Sequence, residues 1–215
     1  MLEPCDEIVV VADQIREHDP PTIASDNGGV TESPVRRRFY PQPVSADSLD
    51  LPEPRDESDV QLIADLRVHG WHCIHVADEH HPEHAAENQA LGPHPVYDAA
   101  FSYTVGLSLT RSHPELVLVG RWKQNHGIIS TAVSVIEEGT RFEVGSTSDQ
   151  VLEGYEVCFG QVTPARRIEL LTYASWANHR RPFEAIQLIL PDAAGRWPSD
   201  TAYDSVPQPL LDGSE

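Results

Sequence analysis

His113-Pro114-Glu115 is the sharpest chemical signal in the chain: an imidazole and a carboxylate two positions apart in a turn between two apolar runs. A histidine with a nearby glutamate forms a general acid–base pair when a scaffold holds both against a substrate. Turns between core strands are where such groups are presented. His113, Glu115 and Thr104 are therefore the candidate catalytic residues, with Tyr103, His126 and Trp122 as candidate ligand contacts. The competing reading is structural: a strand-entry turn stiffened by Pro114, with Glu115 either a cap or solvated.

The other histidines crowd together. Seven of the eleven fall between His69 and His94. His80, His81 and His84, interleaved with Asp78, Glu79, Glu83 and Glu87, have the chemistry of a weak divalent-metal tract. Their spacing matches no defined site, so no metal ligand is assigned, and the cofactor is unknown. His72 and His75 stand three apart on a predicted strand and point to opposite faces. His75, beside Trp71 and Cys73, reads as a buried, hydrogen-bonded histidine, with a ligand role as the alternative.

Other chemistries find little support. Cys5, Cys73 and Cys158 make no CxxC pair and read as reduced thiols. No GxSxG elbow, P-loop or GxGxxG is present.

The elements that must position these residues follow from periodicity. Ser58-Asp59-Val60-Gln61 reads as a capping box opening a helix with Val60, Leu62, Ile63, Ala64 and Leu66 inward, stopped by Gly70. Residues 71–76 read as a strand, 77–98 as a long polar loop, and 101–108 as a half-buried strand alternating Phe101, Tyr103, Val105 and Leu107 with small polar residues. Leu116 to Gly120, apolar on both faces, suits a central strand. Ile129, Ala132, Val133 and Ile136 predict a helix over 123–137. Short strands are expected at 141–144 and 157–162, and Thr163-Pro164 opens a helix that buries Ile168, Leu171 and Ser175. A last strand covers 185–190. Strands in succession before the long helix predict an α+β domain, with a mixed, mainly antiparallel sheet and about three helices.

Composition sets the boundaries. Residues 1–55 are proline-rich and acidic and read as a disordered tail, 56–200 as the folded domain, and 201–215 as a loose C-terminal tail. No apolar run is long enough to span a bilayer, and Glu3, Asp6 and Glu7 stand where a signal peptide needs positive charge. A cytoplasmic protein is expected, with no membrane partner. A formal charge of -19 argues against nucleic acid, because that binding rests on Lys and Arg releasing counterions.

Five segments together resemble a bacterial family described only as a domain of unknown function, number 4262. They are Gly70-Trp71, Tyr103-Thr104-Val105-Gly106-Leu107, His113-Pro114-Glu115-Leu116, Glu138-Gly139 with Phe142, and Pro182-Phe183 through Gln187-Leu188 to Pro191-Asp192 and Gly195-Arg196. The resemblance covers about residues 69–198 and implies a shared fold without a settled activity. The family's closing Pro-Trp pair has no match here, where Trp197 precedes Pro198. The expected role is a domain that binds a protein or small ligand. Alternatives are an enzyme of unknown reaction centred on His113 and Glu115, and weak metal binding by residues 78–94.

Overall fold

Buried positions on the central strand alternate between two cores, and that alternation organises the domain. The computed structural model describes residues 49–76, 100–120 and 122–213, with backbone alone for Trp122 and Lys123. The strands are β1 (His72–Val76), β2 (Phe101–Val105), β3 (Glu115–Val119), β4 (Thr147–Leu152), β5 (Tyr155–Gln161) and β6 (Ala185–Ile189). They form one sheet in the order β1-β2-β3-β6-β5-β4. Every pairing is antiparallel except β3 with β6. The helices are α1 (Glu57–His69), α2 (Leu107–Thr110), α3 (Trp122–Glu137), α4 (Pro164–Leu170) and α5 (Thr172–Ala177). This is an α+β domain with a mixed sheet. Among the described residues no helix is long and apolar enough to cross a membrane.

Leu116 and Leu118 of β3 point into the first core, where Ile129, Ala132, Val133 and Ile136 of α3 meet Phe159 and Leu188. Val117 and Val119 point into the second, with Leu62 and Leu66 of α1, Tyr103, Leu171 and Ala174. A strand covered on both faces is apolar at every position, as the 116–119 run is.

Several expectations are corrected. The cap of α1 is Asp56, whose carboxylate accepts the Asp59 amide at 2.9 Å, and not Ser58. Asp59 faces inward and accepts three hydrogen bonds from Arg55, which turns Val60 outward to 53% exposure. Gly70 does end the helix, in the left-handed conformation. The strand expected to run to Ser108 ends at Val105, because Gly106 has a φ of 113° and turns the chain into α2. Its polar face is not half-exposed either: Ser102 and Thr104 are fully buried.

Residues 141–143 are irregular and lead into a turn at Val144-Gly145 in place of the expected strand, and the Phe142 amide donates back to His113. On the side away from β6, β5 pairs with β4, joined to it through the two residues Glu153 and Gly154. The helix opened by Thr163 breaks at Leu171, whose ψ of 56° lets Leu170 and Leu171 both reach the core while Ile168 is 68% exposed.

At the ends, Leu49 and Leu51 already pack on the second core, ahead of the expected boundary at 56. Beyond residue 200 the chain is not loose. Gln187 donates to the Pro209 carbonyl and accepts the Leu211 amide, both at 2.9 Å, and Leu211 is 1% exposed. Residues 1–48, 77–99, 121 and 214–215 lie outside the described residues, as do most of the expected tail and the histidine-rich stretch.

Candidate functional site

Glu115 begins β3 beneath the N-terminus of α2 and is completely buried. Its Oε2 accepts from the Thr104 hydroxyl at 2.7 Å and the Leu107 amide at 3.3 Å. Its Oε1 accepts from the Gly106 and Ser108 amides at 3.0 Å each and from the Ser108 hydroxyl at 2.7 Å. The left-handed turn at Gly106 aims successive amides at one point, and the carboxylate sits there. Burial pushes the Glu115 pKa up, opposed by donation from Ser108, Thr104 and Gly106. All five partners are donors, so the acceptor-only carboxylate fits the site.

The network extends outward. Thr104 Oγ1 accepts the Leu116 amide at 2.8 Å, and Asn178 donates to Ser108 Oγ at 3.2 Å and to the Ala174 carbonyl at 2.9 Å. Glu115 thus ties β2, α2, β3 and α5 together.

His113 is not part of this network. Its Nδ1 lies 2.7 Å from the Pro114 carbonyl, and its Nε2 is 3.0 Å from the Phe142 amide. A carbonyl needs a donor and an amide needs an acceptor, so the ring is the neutral Nδ1–H tautomer. Burial, with Arg141 nearby, brings its pKa down to about 4. The ring packs edge-on against Phe142, which stacks on Phe159 at 4.1 Å. Of the three candidate catalytic residues, the structure brings Thr104 and Glu115 together; both nitrogens of His113 are engaged elsewhere.

The candidate ligand contacts also separate. Tyr103 is 1% exposed in the second core, facing away from Thr104. Burial raises its pKa, and its hydroxyl accepts the Tyr173 amide at 3.4 Å. His126 is on the exposed side of α3, near Trp71 and His75. The Trp122 side chain lies outside the described residues.

His75 is held through Nδ1 by Ser102 Oγ at 2.8 Å while the residue as a whole stays exposed. Burial of the bonded edge, with His126 and His72 nearby, lowers its pKa to about 4. His72 is held by Asp65 at 2.7 Å. Among the described residues no group of three or more His, Cys, Asp or Glu side chains is placed to hold a metal.

A groove of about 480 Å³ opens beside the His113 turn. Pro114, Phe142, Val162, Ala185 and Ile186 give it an apolar lining, and Arg141, Glu143, Arg167 and Glu184 supply charge. Arg167 is paired with Glu184 at 3.5 Å and lies over the Phe183 ring. Arg141 donates to the Ser112 carbonyl. Three of the five segments that carry the family resemblance meet here, through Pro114, Phe142 and residues 184–186.

Sequence reasoning missed Ser108, Asn178 and the two groove arginines. Ser108 and Asn178 are 70 positions apart, and no local pattern links them. Gly106, closing the Tyr103-Thr104-Val105 run, was the available signal for the turn.

The family model described as "Domain of unknown function (DUF4262)" matches residues 65–204. No curated protein and no solved structure matches the chain.

Proposed function

The chain belongs to the family described as a domain of unknown function (DUF4262), and from its own geometry we propose that it is a binding domain, recognising a small ligand or a protein segment in the groove at the His113 turn. One observation carries this reading: three motif segments far apart in sequence converge on one concavity of ligand size. The groups with catalytic chemistry serve to shape it. His113 uses both nitrogens to hold Phe142 and Pro114 in the lining, and Glu115 gives its acceptors to the Gly106 and Ser108 amides, outside that lining. A lining that mixes apolar side chains with charges of both signs suits an amphipathic ligand, with apolar contact for affinity and the charges for orientation. The bacterial, cytoplasmic setting implied by the resemblance and the chain's acidity accords with a soluble recognition module.

The test is a fragment screen on the full chain, read by amide chemical shifts. Shifts clustering at Phe142, Val144, Val162 and Ala185, and lost in Val144→Asp, support the reading. Val144 is 56% exposed, so its replacement leaves the core intact. Hits that map elsewhere, or turnover of a metabolite pool abolished by Glu115→Gln in a folded protein, overturn it.

A further inference from the structure

Among the described ion pairs, Arg167 has the least exposed arginine side chain, at 11%, and yet one of the longest contacts, 3.5 Å to Glu184. Arg55 and Arg196 hold their carboxylates at 2.7 Å, and Arg111 and Arg166 hold theirs at 2.9 and 3.0 Å, all from more exposed positions. A charge-assisted N–H···O bond closes to about 2.7–2.9 Å, so the Arg167 pair is a loose one. Among the described residues its guanidinium has no closer polar partner. None of its nitrogens is both sealed from solvent and unanswered, so the unused donors reach solvent.

The guanidinium is placed by Phe183, whose ring centre is 5.3 Å from its Cζ. A contact with the face of a ring leaves the in-plane N–H donors unspent. Glu184 is the exchangeable partner. Its side chain is 80% exposed, and a pair with so exposed a carboxylate is worth little. Its backbone stays where it is, because its carbonyl accepts the Glu115 amide at 2.8 Å. Both residues line the groove, together with Val162, Ala185 and Ile186. A partly desolvated cation with unspent donors beside an apolar wall is complementary to an anion that carries an apolar body. Charge limits that anion to a single negative group. The lining holds two arginines and two glutamates, and the chain has a formal charge of -19, so every ligand charge beyond the one that Arg167 meets is opposed.

We infer that the groove takes a small apolar monocarboxylic acid, whose carboxylate displaces Glu184 and pairs with Arg167 through two parallel N–H···O bonds. This rests on the groove being a binding site, and adds the sign of its ligand and the residue that anchors it.

The experiment titrates the full chain at neutral pH with four probes that share one apolar body: phenylpropanoate, phenylpropanamide, phenylpropylamine and phenylpropyl phosphate. Amide chemical shifts report where each binds and how tightly. Phenylpropanoate is expected to shift Val162, Ala185 and Ile186, and to bind at least about tenfold more tightly than the other three. Arg167→Gln should weaken it at least about tenfold. Glu184→Gln, at an exposed position, should tighten it by removing the competing carboxylate, a gain that a merely structural Arg167 would not produce. The carboxylate anchor is overturned, with the groove reading left standing, if the amide or the amine binds the same residues as tightly as the acid. The same holds if Arg167→Gln binds the acid as wild type does, or if Glu184→Gln fails to tighten it. Tighter binding of the phosphate overturns the single-charge assignment. Shifts from no probe at the groove overturn this inference alone, and the wider fragment screen judges the groove itself.

Discussion

The Nε2 atom of His113 accepts the amide hydrogen of Phe142 at 3.0 Å, joining positions 29 residues apart through one buried ring. The other nitrogen faces the Pro114 carbonyl, so protonation would set an N–H against an N–H. Only the neutral ring fits, which is the physical content of a pKa brought down to about 4 by burial.

Stability should therefore depend on pH through this residue. An ordinary histidine protonates near about 6.5, so in acid the unfolded chain gains a proton that the folded chain refuses. The contribution of His113 is complete above about pH 6.5 and is lost as pH falls towards 4, where the folded ring also protonates. The loss is on the order of 3 kcal/mol. Urea unfolding of wild type and His113→Gln between pH 7 and pH 4 checks it. The wild-type curve should fall more steeply, and parallel curves would show that the ring does not titrate as described.

Glu115→Gln tests the carboxylate. The substitution turns an acceptor-only group into one that presents N–H to a donor, inside a site with five donors. A cost of about 3 kcal/mol is expected, since hydrogen bonds to a charged group count for more than neutral ones and the new donor has no acceptor. For a domain of this size that lowers Tm by roughly 6–12 °C. Thr104→Val should cost less, because it removes one donor to Glu115 and the acceptor of the Leu116 amide but buries no charge. If Glu115→Gln melts as wild type does, the carboxylate is not holding the turn.

The sequence made the middle of the fold legible and hid its edges. The run 116–119 and the periodicity of 129–136 are strong signals because burial on two faces, or along one helical stripe, leaves no choice of residue type. β4 was missed because an edge strand reading Thr147-Ser148-Asp149-Gln150 is mostly exposed and carries no alternation; the Glu153-Gly154 turn was its better marker. The candidate site divided in the same way. Thr104 and Glu115 could be named, but whether a polar residue on a strand faces water or a buried carboxylate is decided by partners 8 to 12 residues away. Asn178, farther still, left no trace in local pattern.

Gly106 carries a steric prediction. Its φ of 113° disfavours any side chain, and an added Cβ would lie 2.5 Å from Leu66 Cδ2 and 2.7 Å from the Gly70 carbonyl oxygen. The second contact is with backbone and cannot be relieved by a rotamer change. Gly106→Ala should lose well over about 2 kcal/mol in urea unfolding. Gly139→Ala is the control, with a similar φ of 102° but nothing within 4 Å of the new Cβ, so only the local strain of about 1 kcal/mol applies. Equal losses at the two positions would mean that the packing of α1 against the Gly106 turn contributes nothing.

The C-terminal segment carries the last prediction. Polar composition after Trp197 reads as a tail, yet Gln208 Oε1 accepts the Leu190 amide at 3.0 Å and Leu211 accepts the Thr163 amide at 2.9 Å through its carbonyl. Those bonds satisfy donors at the end of β6 and at the cap of α4, which would otherwise be left in the interior without partners. Leu211→Ala keeps the backbone bonds and removes only the side chain buried in the second core, so it should cost about 2–4 kcal/mol. Truncation after Val206 removes the bonds as well and should cost more. Both are read as urea midpoints against wild type. A truncated chain as stable as the full one would return the segment to the status of a tail; a loss in both variants, larger in the truncation, makes residues 207–211 part of the domain.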